Sequence, residues 1–325
     1  MKSVLHAAAR GVAIALCAFA LPVAAQTVLN VNTALTTDDP MYAGLERMKT
    51  AIEQRSAGKL TIRIFPGSQL GKDEDVLEQA RAGANVAVLV DGGRLAPFVK
   101  DFGILGAPYL VDNFDQVLRL ENSALFKGWV EKLRGAANLQ VLSFDWFQGH
   151  RHVLTNVPVK GPADLKGIRM RTPGAPVWLE TVRAMGATPT GMPWSEVYSA
   201  LQTKVIDGAE AQHPAVYGAR LYEVVKYITK TEHIYLITGI VTSRAWFDKL
   251  PADQQKILTE ESFAAGKWAS EATIASLADY EKKLREKGVT VAEIDKTPFK
   301  AATAGVYQTL GYAELRKDVD KALGK

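Results

Sequence analysis

The fold of this chain is decided by one stretch, PADQQKILTEESFAAGKWASEATIASLADYEKKLREK, which runs from Pro251 to Lys287. The stretch is rich in helix-forming residues, has no proline after its first position and contains a single glycine, Gly266. At the rise of an α-helix it would extend for about 55 Å, which is longer than one lobe of a protein of this size is wide.

The apolar residues of this stretch predict which side of the helix is buried. They form one stripe in the first half and another, about half a turn round, in the second half. The first stripe contains Ile257, Ala264, Trp268 and Ala275, and the second contains Leu277, Tyr280 and Leu284. A buried face that changes midway predicts a helix that packs on two bodies in succession. Two helices with a kink at Gly266 would give the same pattern, and the sequence leaves both interpretations open.

The rest of the chain alternates between strand-like and helix-like segments, which is typical of α/β architecture. Strands are predicted at Val28–Val31, Leu60–Phe65, Val86–Val90, Leu139–Asp145, His152–Asn156, Ile168–Thr172 and Ile234–Thr242. Helices are predicted from Asp38-Asp39-Pro40 to Arg55, and at Asp73–Ala82, Val177–Met185, Ser195–Thr203 and Pro214–Val224. The 325 residues suggest two α/β lobes or one large domain.

Residues 1–25 predict a secretory signal peptide. Lys2 and Arg10 precede an apolar run that ends at Pro22, and small residues then predict cleavage before Gln26. The apolar run is shorter than the roughly 20 residues that span a bilayer, and Leu16 disfavours lipid attachment at Cys17. Cleavage would remove two basic residues, no acidic residue and the only cysteine, which lowers the formal net charge from +4 to +2.

Charge and motif content exclude several classes of function. The basic residues are spread along the chain, which argues against a nucleic-acid partner. The sequence contains no G-x-S-x-G, Walker A, G-x-G-x-x-G or H-E-x-x-H motif, and the exported part has no cysteine for thiol catalysis or a zinc site. His150 and His152 share one face of a predicted strand, but without a nearby acidic cluster they indicate polar strand residues. We therefore expect no catalytic site, no metal and no cofactor.

One segment, DLKGIRMRTP at 164–173, places Arg169 and Arg171 on the same face of a predicted strand. Two alternating arginines usually mark a solvated face. Arginine is also the side chain best suited to a bidentate grip on a carboxylate.

Together with further segments, this motif resembles the solute-binding proteins of the TRAP (tripartite ATP-independent periplasmic) transporters, over essentially the whole exported chain. The matching segments, in order, are GKLTI at 58–62, FPGSQLG at 65–71, DLKGIRMRTP at 164–173, GATP at 186–189, WSEVYSALQT at 194–203 and VIDGAE at 205–210. Each is weak alone, but all six in order make a specific pattern.

The resemblance implies a two-lobed α/β periplasmic binding protein, with a mixed sheet in each lobe, a ligand cleft between the lobes and a long bracing helix. On this interpretation residues 26–150 form lobe 1, to which the chain returns near its C-terminus, and residues 151–250 form lobe 2. Residues 251–287 form the helix that spans both lobes, and residues 288–325 form a C-terminal strand and helices.

The resemblance also implies a binding site for an organic acid. Arg171 matches the arginine that pairs with the substrate carboxylate, and Arg151 matches a second frequent arginine. Asp73 and Asp91 match contacts to ligand hydroxyls, Trp194 matches the wall of the cleft, and Glu210 lies beside the segment that completes the site. The sequence equally fits a helix cap at Asp73, a turn residue at Asp91 and an interlobe core residue at Trp194.

The chain departs from the family at Ala211, where many members carry an asparagine that donates to the carboxylate. Gln212 or His213 is a candidate to replace it, although His213 also fits a simple helix-start residue. Members that bind a 2-oxoacid with a metal ion often carry tryptophan here, so Ala211 lowers that possibility.

The expected function is capture of a small carboxylate in the periplasm and its delivery, by a monomer, to TRAP membrane permease subunits. Because Asp73, Asp91 and Glu210 would repel a second carboxylate, a sugar acid (uronate or aldonate) is favoured over C4-dicarboxylates, 2-oxo or hydroxy acids and aromatic acids. The rival hypotheses are a periplasmic lyase that uses His213 with Glu210, and a ligand-sensing partner of a membrane receptor.

Overall fold

The computed structural model describes residues Thr27–Lys325, so the predicted signal peptide lies outside the described residues. The strands are β1 (Thr27–Asn32), β2 (Leu60–Phe65), β3 (Val86–Asp91), β4 (Leu139–Thr155), β5 (Arg169–Thr172), β6 (Thr188–Gly191), β7 (Gly208–Ala211), β8 (Tyr227–Ser243) and β9 (Thr290–Ala292). The helices are α1 (Pro40–Arg55), α2 (Asp73–Arg81), α3 (Gly92–Leu95), α4 (Phe114–Asn122), α5 (Ala124–Ala137), α6 (Pro176–Ala184), α7 (Val197–Gln202), α8 (His213–Gly218), α9 (Arg244–Phe247), α10 (Ala252–Glu286), α11 (Thr297–Thr303), α12 (Val306–Thr309) and α13 (Ala313–Leu323). Short 3-10 helices occupy Lys100–Gly106, Pro162–Leu165, Trp194–Glu196 and Leu221–Glu223.

The strands form one mixed hydrogen-bonded network in the order β2-β1-β3-β8-β4-β7-β5-β6, with β9 beside β8. We call the part around β1–β3 lobe 1 and the part around β5–β7 and β9 lobe 2. Each part is mixed: β1, β2 and β3 are parallel to one another and β5, β6 and β7 likewise, whereas β8 and β4 run antiparallel to their neighbours β3 and β7.

Two strands of 17 residues each, β4 and β8, run through both lobes. The sequence predicts two strands, at 139–145 and 152–156, where the structure has the single strand β4, and the expected division at 150/151 falls inside it. The ladder between β4 and β8 is interrupted by four register shifts, the last of them between Arg151 and Val153. Such irregularities bend and twist a strand, which allows one ladder to serve two lobes.

α10 is a single uninterrupted helix, so of the two interpretations of this stretch the continuous one is observed. Leu258, Ala265 and Ala269 pack into a core cluster of lobe 1, and Leu284 packs into a core cluster of lobe 2. A helix of 35 residues extends for about 52 Å, which is enough to reach both.

The stripe predicted for the first half of α10 is wrong: Ala264, Trp268 and Ala275 are exposed. The buried residues there are mostly small or polar, namely Gln254, Ile257, Leu258, Ser262, Ala265, Gly266, Ala269, Ser270 and Thr273. Ser262 bonds the Ser143 hydroxyl at 2.8 Å, and the Ser270 hydroxyl accepts from Phe147 N at 2.8 Å and donates to the Asp145 carbonyl at 2.7 Å. The helix lies so close to β4 that small side chains and hydroxyls fill the interface, so hydrophobicity does not mark the buried face.

Among residues 27–325, no helix is long and apolar enough to cross a membrane.

Gly266→Ala tests this close approach. A Cβ at Gly266 would overlap Asp145 Oδ1 and lie 2.7 Å from Trp146 Nε1, and both side chains are fully buried. We expect the substitution to lower the free energy of unfolding by about 1–3 kcal/mol, measured by urea denaturation.

The matched control is Gly128→Ala in α5, where a Cβ would meet nothing within 4 Å. This change should raise stability by about 0.5–1 kcal/mol, because alanine is the better helix former. Equal effects of the two substitutions would contradict the packing of α10 on β4.

Candidate ligand-binding site

A cavity lies between the lobes where β4 and β8 pass from one to the other. Its empty space is about 500 Å³, including the part open to solvent. Six of the eight predicted site residues line it: Asp73, Asp91, Arg151, Arg171, Trp194 and Gln212. The other two, Glu210 and His213, are buried elsewhere.

Arg171 is a buried cation without a carboxylate partner. It lies on β5 and is 1% exposed, its Nε donates to the Met192 carbonyl at 2.9 Å, and its Cζ lies 5.3 Å from the centre of the Trp194 ring. Burial, and then the nearby charge of Arg151, lowers the pKa of Arg171 to about 9. No ion pair to Arg171 occurs within residues 27–325, although Glu210 and Glu74 partly offset its charge at longer range.

Arg169, the other arginine of the motif, lies at the surface. Its side chain is 48% exposed and forms an ion pair with Asp207 at 2.8 Å. The two residues alternate on one strand, but only Arg171 reaches the cavity.

Arg151, by contrast, has its own counterion. Its guanidinium bonds both carboxylate oxygens and the carbonyl of Glu210, donates to Gln212 Oε1 at 3.2 Å and lies 4.8 Å from the Trp178 ring centre. Burial alone would raise the pKa of Glu210, but Arg151 and His233 together outweigh burial and hold that pKa at about 2. Thr172 Oγ1 also donates to Glu210 Oε1 at 2.8 Å. Glu210 therefore neutralises and orients Arg151 from behind the cavity wall.

Gln212 begins a chain of side-chain hydrogen bonds across the cavity floor. Its Nε2 donates to Gln148 Oε1 at 2.9 Å, and Gln148 Nε2 donates to Thr238 Oγ1 at 3.2 Å. Thr238 in turn donates to the Trp146 carbonyl at 2.9 Å. Ala211 occupies the position after Glu210 where the family pattern has asparagine, and it is small and buried. The neighbouring Gln212 lines the cavity.

The lobe 1 side of the cavity is acidic around one arginine. Arg94 bonds the Asp91 carboxylate, pairs with Glu74 at 2.8 Å and lies 3.6 Å from Asp73 Oδ2. Burial raises the pKa of Asp73 to about 6 in spite of Arg94, and its Oδ1 is buried without a hydrogen-bond partner. Such an oxygen can accept a hydrogen bond from a ligand hydroxyl.

Asp91 also joins the two lobes. It caps α3 by accepting from Arg94 N at 3.2 Å, and its Oδ1 accepts from Trp178 Nε1 of α6, in lobe 2, at 3.1 Å. At the rim, Lys72 of lobe 1 pairs with Glu196 of lobe 2 at 2.9 Å. These contacts hold the lobes together in this conformation.

His213 packs its ring against His152, with 4.6 Å between ring centres, at the first residue of α8. Burial lowers its pKa to about 4, so it is neutral at pH 7. His150 packs against Tyr235 instead of joining His152. Within the described residues, no group of three His, Cys, Asp or Glu side chains is placed to hold a metal ion.

Sequence reasoning missed Arg94, Gln148, Trp178 and Thr238, all of which line the cavity. Arg94 had a usable signal, because it follows the buried strand β3, and ligands of α/β proteins bind beyond the carboxyl ends of such strands. Trp178 had no such signal in the sequence, since an aromatic residue in a predicted helix usually belongs to the hydrophobic core.

Glu210→Gln tests the buried ion pair. We expect a loss of about 3–5 kcal/mol at neutral pH, because Arg151 would remain buried without a counterion. Since the folded-state pKa of Glu210, about 2, is below its usual 4.5, the pair's stabilisation is complete above pH 4.5 and disappears as the pH falls towards 2. The difference in urea unfolding free energy between wild type and variant should shrink over that range.

Asp207→Asn is the control, because its pair with Arg169 is exposed and should contribute less than about 1 kcal/mol. If Glu210→Gln costs no more than this control at neutral pH, Glu210 does not hold Arg151 as described.

Comparison with known proteins agrees with this architecture. Residues 31–314 match the model of the DctP family, described as bacterial extracellular solute-binding protein, family 7. A C4-dicarboxylate-binding periplasmic protein of Vibrio cholerae is 32% identical over 243 residues, 72% of each chain.

Two solved structures of TRAP periplasmic solute-binding proteins are also similar. The protein from Escherichia fergusonii, in an open form without ligand, is 44% identical with a TM-score of 0.79, covering 91% of this chain and 99% of its own. The protein from Ochrobactrum anthropi, with bound L-fuconate, is 32% identical with a TM-score of 0.89, covering 92% of this chain and all of its own. The more distant sequence superposes better, so the lobes here are arranged more as in the ligand-bound structure than as in the open one.

The family match spans nearly all of the described chain, and the cavity lies between two lobes joined by β4, β8 and α10. This chain belongs to the DctP family of bacterial extracellular solute-binding proteins, the solute-binding proteins of TRAP transporters.

Proposed function

We propose that this protein captures a sugar acid, a uronate or an aldonate, in the periplasm and delivers it to the membrane permease subunits of a TRAP transporter. The observation that carries the proposal is Arg171, the cavity-lining arginine without a carboxylate partner in residues 27–325. Arg151 and Arg94 already pair with acids, so Arg171 is the cavity arginine that a ligand carboxylate can pair with directly.

The end of the cavity away from Arg171 favours ligand hydroxyl groups over a second ligand carboxylate. Asp73 and Asp91 face it from lobe 1, and the free Oδ1 of Asp73 is suited to accept from a hydroxyl. A second carboxylate there would meet like charge. L-fuconate, the ligand of the Ochrobactrum relative, is a polyhydroxy monocarboxylate of this kind.

In this mechanism the ligand joins the lobes. Its carboxylate would bind Arg171 of lobe 2, and its hydroxyls would bind the Asp73–Asp91 side of lobe 1. Each ligand contact then favours the closed arrangement in which Trp178 reaches Asp91, so binding and closure are thermodynamically coupled. The permease would recognise the closed form. The lyase alternative needs His213 and Glu210 at the ligand, and neither lines the cavity.

Arg171→Ala tests the anchor. Two charge-assisted hydrogen bonds to a carboxylate contribute on the order of 1.5–3 kcal/mol each, so we expect at least about a 100-fold loss of affinity for the sugar acid by calorimetry. The ligand-free variant should be no less stable than wild type, because the substitution removes a buried, unbalanced charge.

Arg169→Ala is the matched control on the same strand, and its affinity should be unchanged because Arg169 lies at the surface. Wild-type affinity in Arg171→Ala would refute the anchor. A loss of affinity accompanied by a large loss of stability would instead point to a structural role.

The substrate class is tested by a thermal-shift series of uronates, aldonates, their uncharged parent sugars and C4-dicarboxylates. Sugar acids should raise the unfolding midpoint most, since a ligand at 100 times its Kd stabilises by about 2.7 kcal/mol. The uncharged sugars should have no effect, because they leave Arg171 unpaired. A response to succinate-like acids alone would favour the dicarboxylate alternative, which the Vibrio relative represents. Recovery of the bound acid unchanged would argue against the lyase.

A further inference from the structure

A second cavity lies on the far side of the β4–β8 ladder from the ligand cavity. Its empty space is about 960 Å³, including the part open to solvent, and its wall includes His150, Glu232, Tyr109 and the C-terminal helices. His150 and Arg151 are consecutive on β4, so their side chains point to opposite faces. Arg151 lines the ligand cavity and His150 lines this one, which we call the hinge cavity.

The hinge cavity is bounded by both lobes. α11 is anchored in lobe 2, because Phe299 is fully buried in the cluster around Met170 and Val182. α13 is anchored in lobe 1, because Val319 and Leu323 are fully buried in the cluster around Phe102 and Val117. Any rotation of the lobes therefore changes the distance between the side chains of α11 and those of α13 across the cavity.

The charges in the wall are mostly positive and come from both helices. Lys296 and Lys300 lie at α11 and Arg316 on α13, against the two carboxylates Asp112 and Glu232. Both carboxylates already pair, Glu232 with Lys296 and Asp112 with Lys325 at 2.8 Å.

Lys300 has no ion pair within the described chain; its Nζ lies 5.4 Å from the centre of the Tyr109 ring. Arg316 bonds Asp320 through Nε at 2.6 Å and the Tyr307 hydroxyl through Nη1, which leaves further N–H groups of its guanidinium for a ligand. An unpaired lysine and a partly free arginine thus face one cavity from different lobes.

Backbone strain marks the same place. Tyr109 and Glu232 both have left-handed backbones, with φ of 52° and 47°, and both line the cavity. Glu232 falls where the β4–β8 pairing shifts register, between Thr229 and Ile234 of β8. Strained non-glycine residues are typical of functional and switching segments.

We propose that the hinge cavity binds a multiply charged oxyanion of the size of phosphate between Lys300 and Arg316, and that the bound anion bridges the lobes on the side away from the ligand. Lysine supplies a point charge and arginine a planar fork, and together they match a tetrahedral oxyanion. Because the two groups are anchored in different lobes and both face the cavity in this arrangement, the bound anion favours it over arrangements that separate them.

Calorimetric titration with inorganic phosphate at constant ionic strength tests the site. Phosphate should bind wild type, and Lys300→Gln should weaken binding about tenfold, as expected for loss of one charge-assisted contact. Lys317→Gln, an exposed lysine of α13 that pairs with Glu314, is the matched control and should leave binding unchanged. Absence of phosphate binding to wild type, or equal binding to Lys300→Gln and wild type, would overturn the proposal.

Arg171→Ala separates this site from the ligand cavity. Phosphate binding should survive in that variant; if it disappears there and persists in Lys300→Gln, the anion occupies the ligand cavity and the hinge site is refuted. This arm does not depend on the proposed function.

The bridging role rests on the proposed function, because its readout is affinity for the sugar acid. By linkage, saturating phosphate should increase the sugar-acid affinity of wild type several-fold and have no such effect on Lys300→Gln. If phosphate binds at Lys300 but the sugar-acid affinity does not change, the bridging role is wrong. If no sugar acid binds at all, the proposed function fails while the phosphate titration still decides the site.

Discussion

The ion pair between Arg151 and Glu210 determines what the rest of the cleft can do. Arg151 lies close to Arg171, and burial together with the charge of Arg151 lowers the pKa of Arg171. Glu210 cancels one of these charges, and the Thr172 hydroxyl holds Glu210 in place. Without that pairing both of these buried arginines would lack a direct counterion. With it, only Arg171 of the two lacks one, and one ligand carboxylate would supply it.

The backbone makes this selection possible by placing both arginines in one cavity from different strands. Arg151 comes from β4, one of the two strands that continue through both lobes, and Arg171 comes from the short β5 in lobe 2. Glu210, on β7 between β4 and β5, lies opposite Val153 in the ladder and reaches Arg151, two residues along the same face of β4, diagonally. The position of the ion pair thus follows from strand order.

The sequence predicted the architecture where the information was local and periodic. The cap in Asp38-Asp39-Pro40 and the buried strand at Val86–Val90 were readable, and the structure confirms both, with the strand one residue longer. Whether Pro251–Lys287 forms one helix or two was left open by the sequence, and the structure has one. The buried face of α10 was not readable, because serines and glycines line it where the helix meets β4. Hydrophobic periodicity identifies a helix face that buries large apolar side chains. It does not detect an interface in which the backbones approach closely and hydroxyl groups form the hydrogen bonds.

The same distinction applies to the site. The motif around Arg169 and Arg171 indicated the strand that carries the binding arginine. Period-two alternation places both residues on one face of that strand, so it could not show which of them reaches the cavity. What separates them is the position of Asp207, which meets Arg169 at the surface, and of Glu210, which is already committed to Arg151. Both are contacts across 38 or more residues, and they exist only once β7 pairs with β5 on one side and with β4 on the other. Trp178 is a further example, since its role depends on lobe 2 meeting lobe 1 at Asp91.

The unbalanced charge of Arg171 also explains why closure should depend on ligand. A closed cleft without a ligand buries a guanidinium with no counterion, and such burial is unfavourable. Opening the lobes returns that group to water. A carboxylate supplies the missing charge and converts the closed arrangement from a costly state into the favoured one, so the ligand needs no separate trigger. Contacts such as Lys72–Glu196 and Trp178–Asp91 then determine how far the empty protein already populates closure, because they stabilise the closed form whether or not the acid is present.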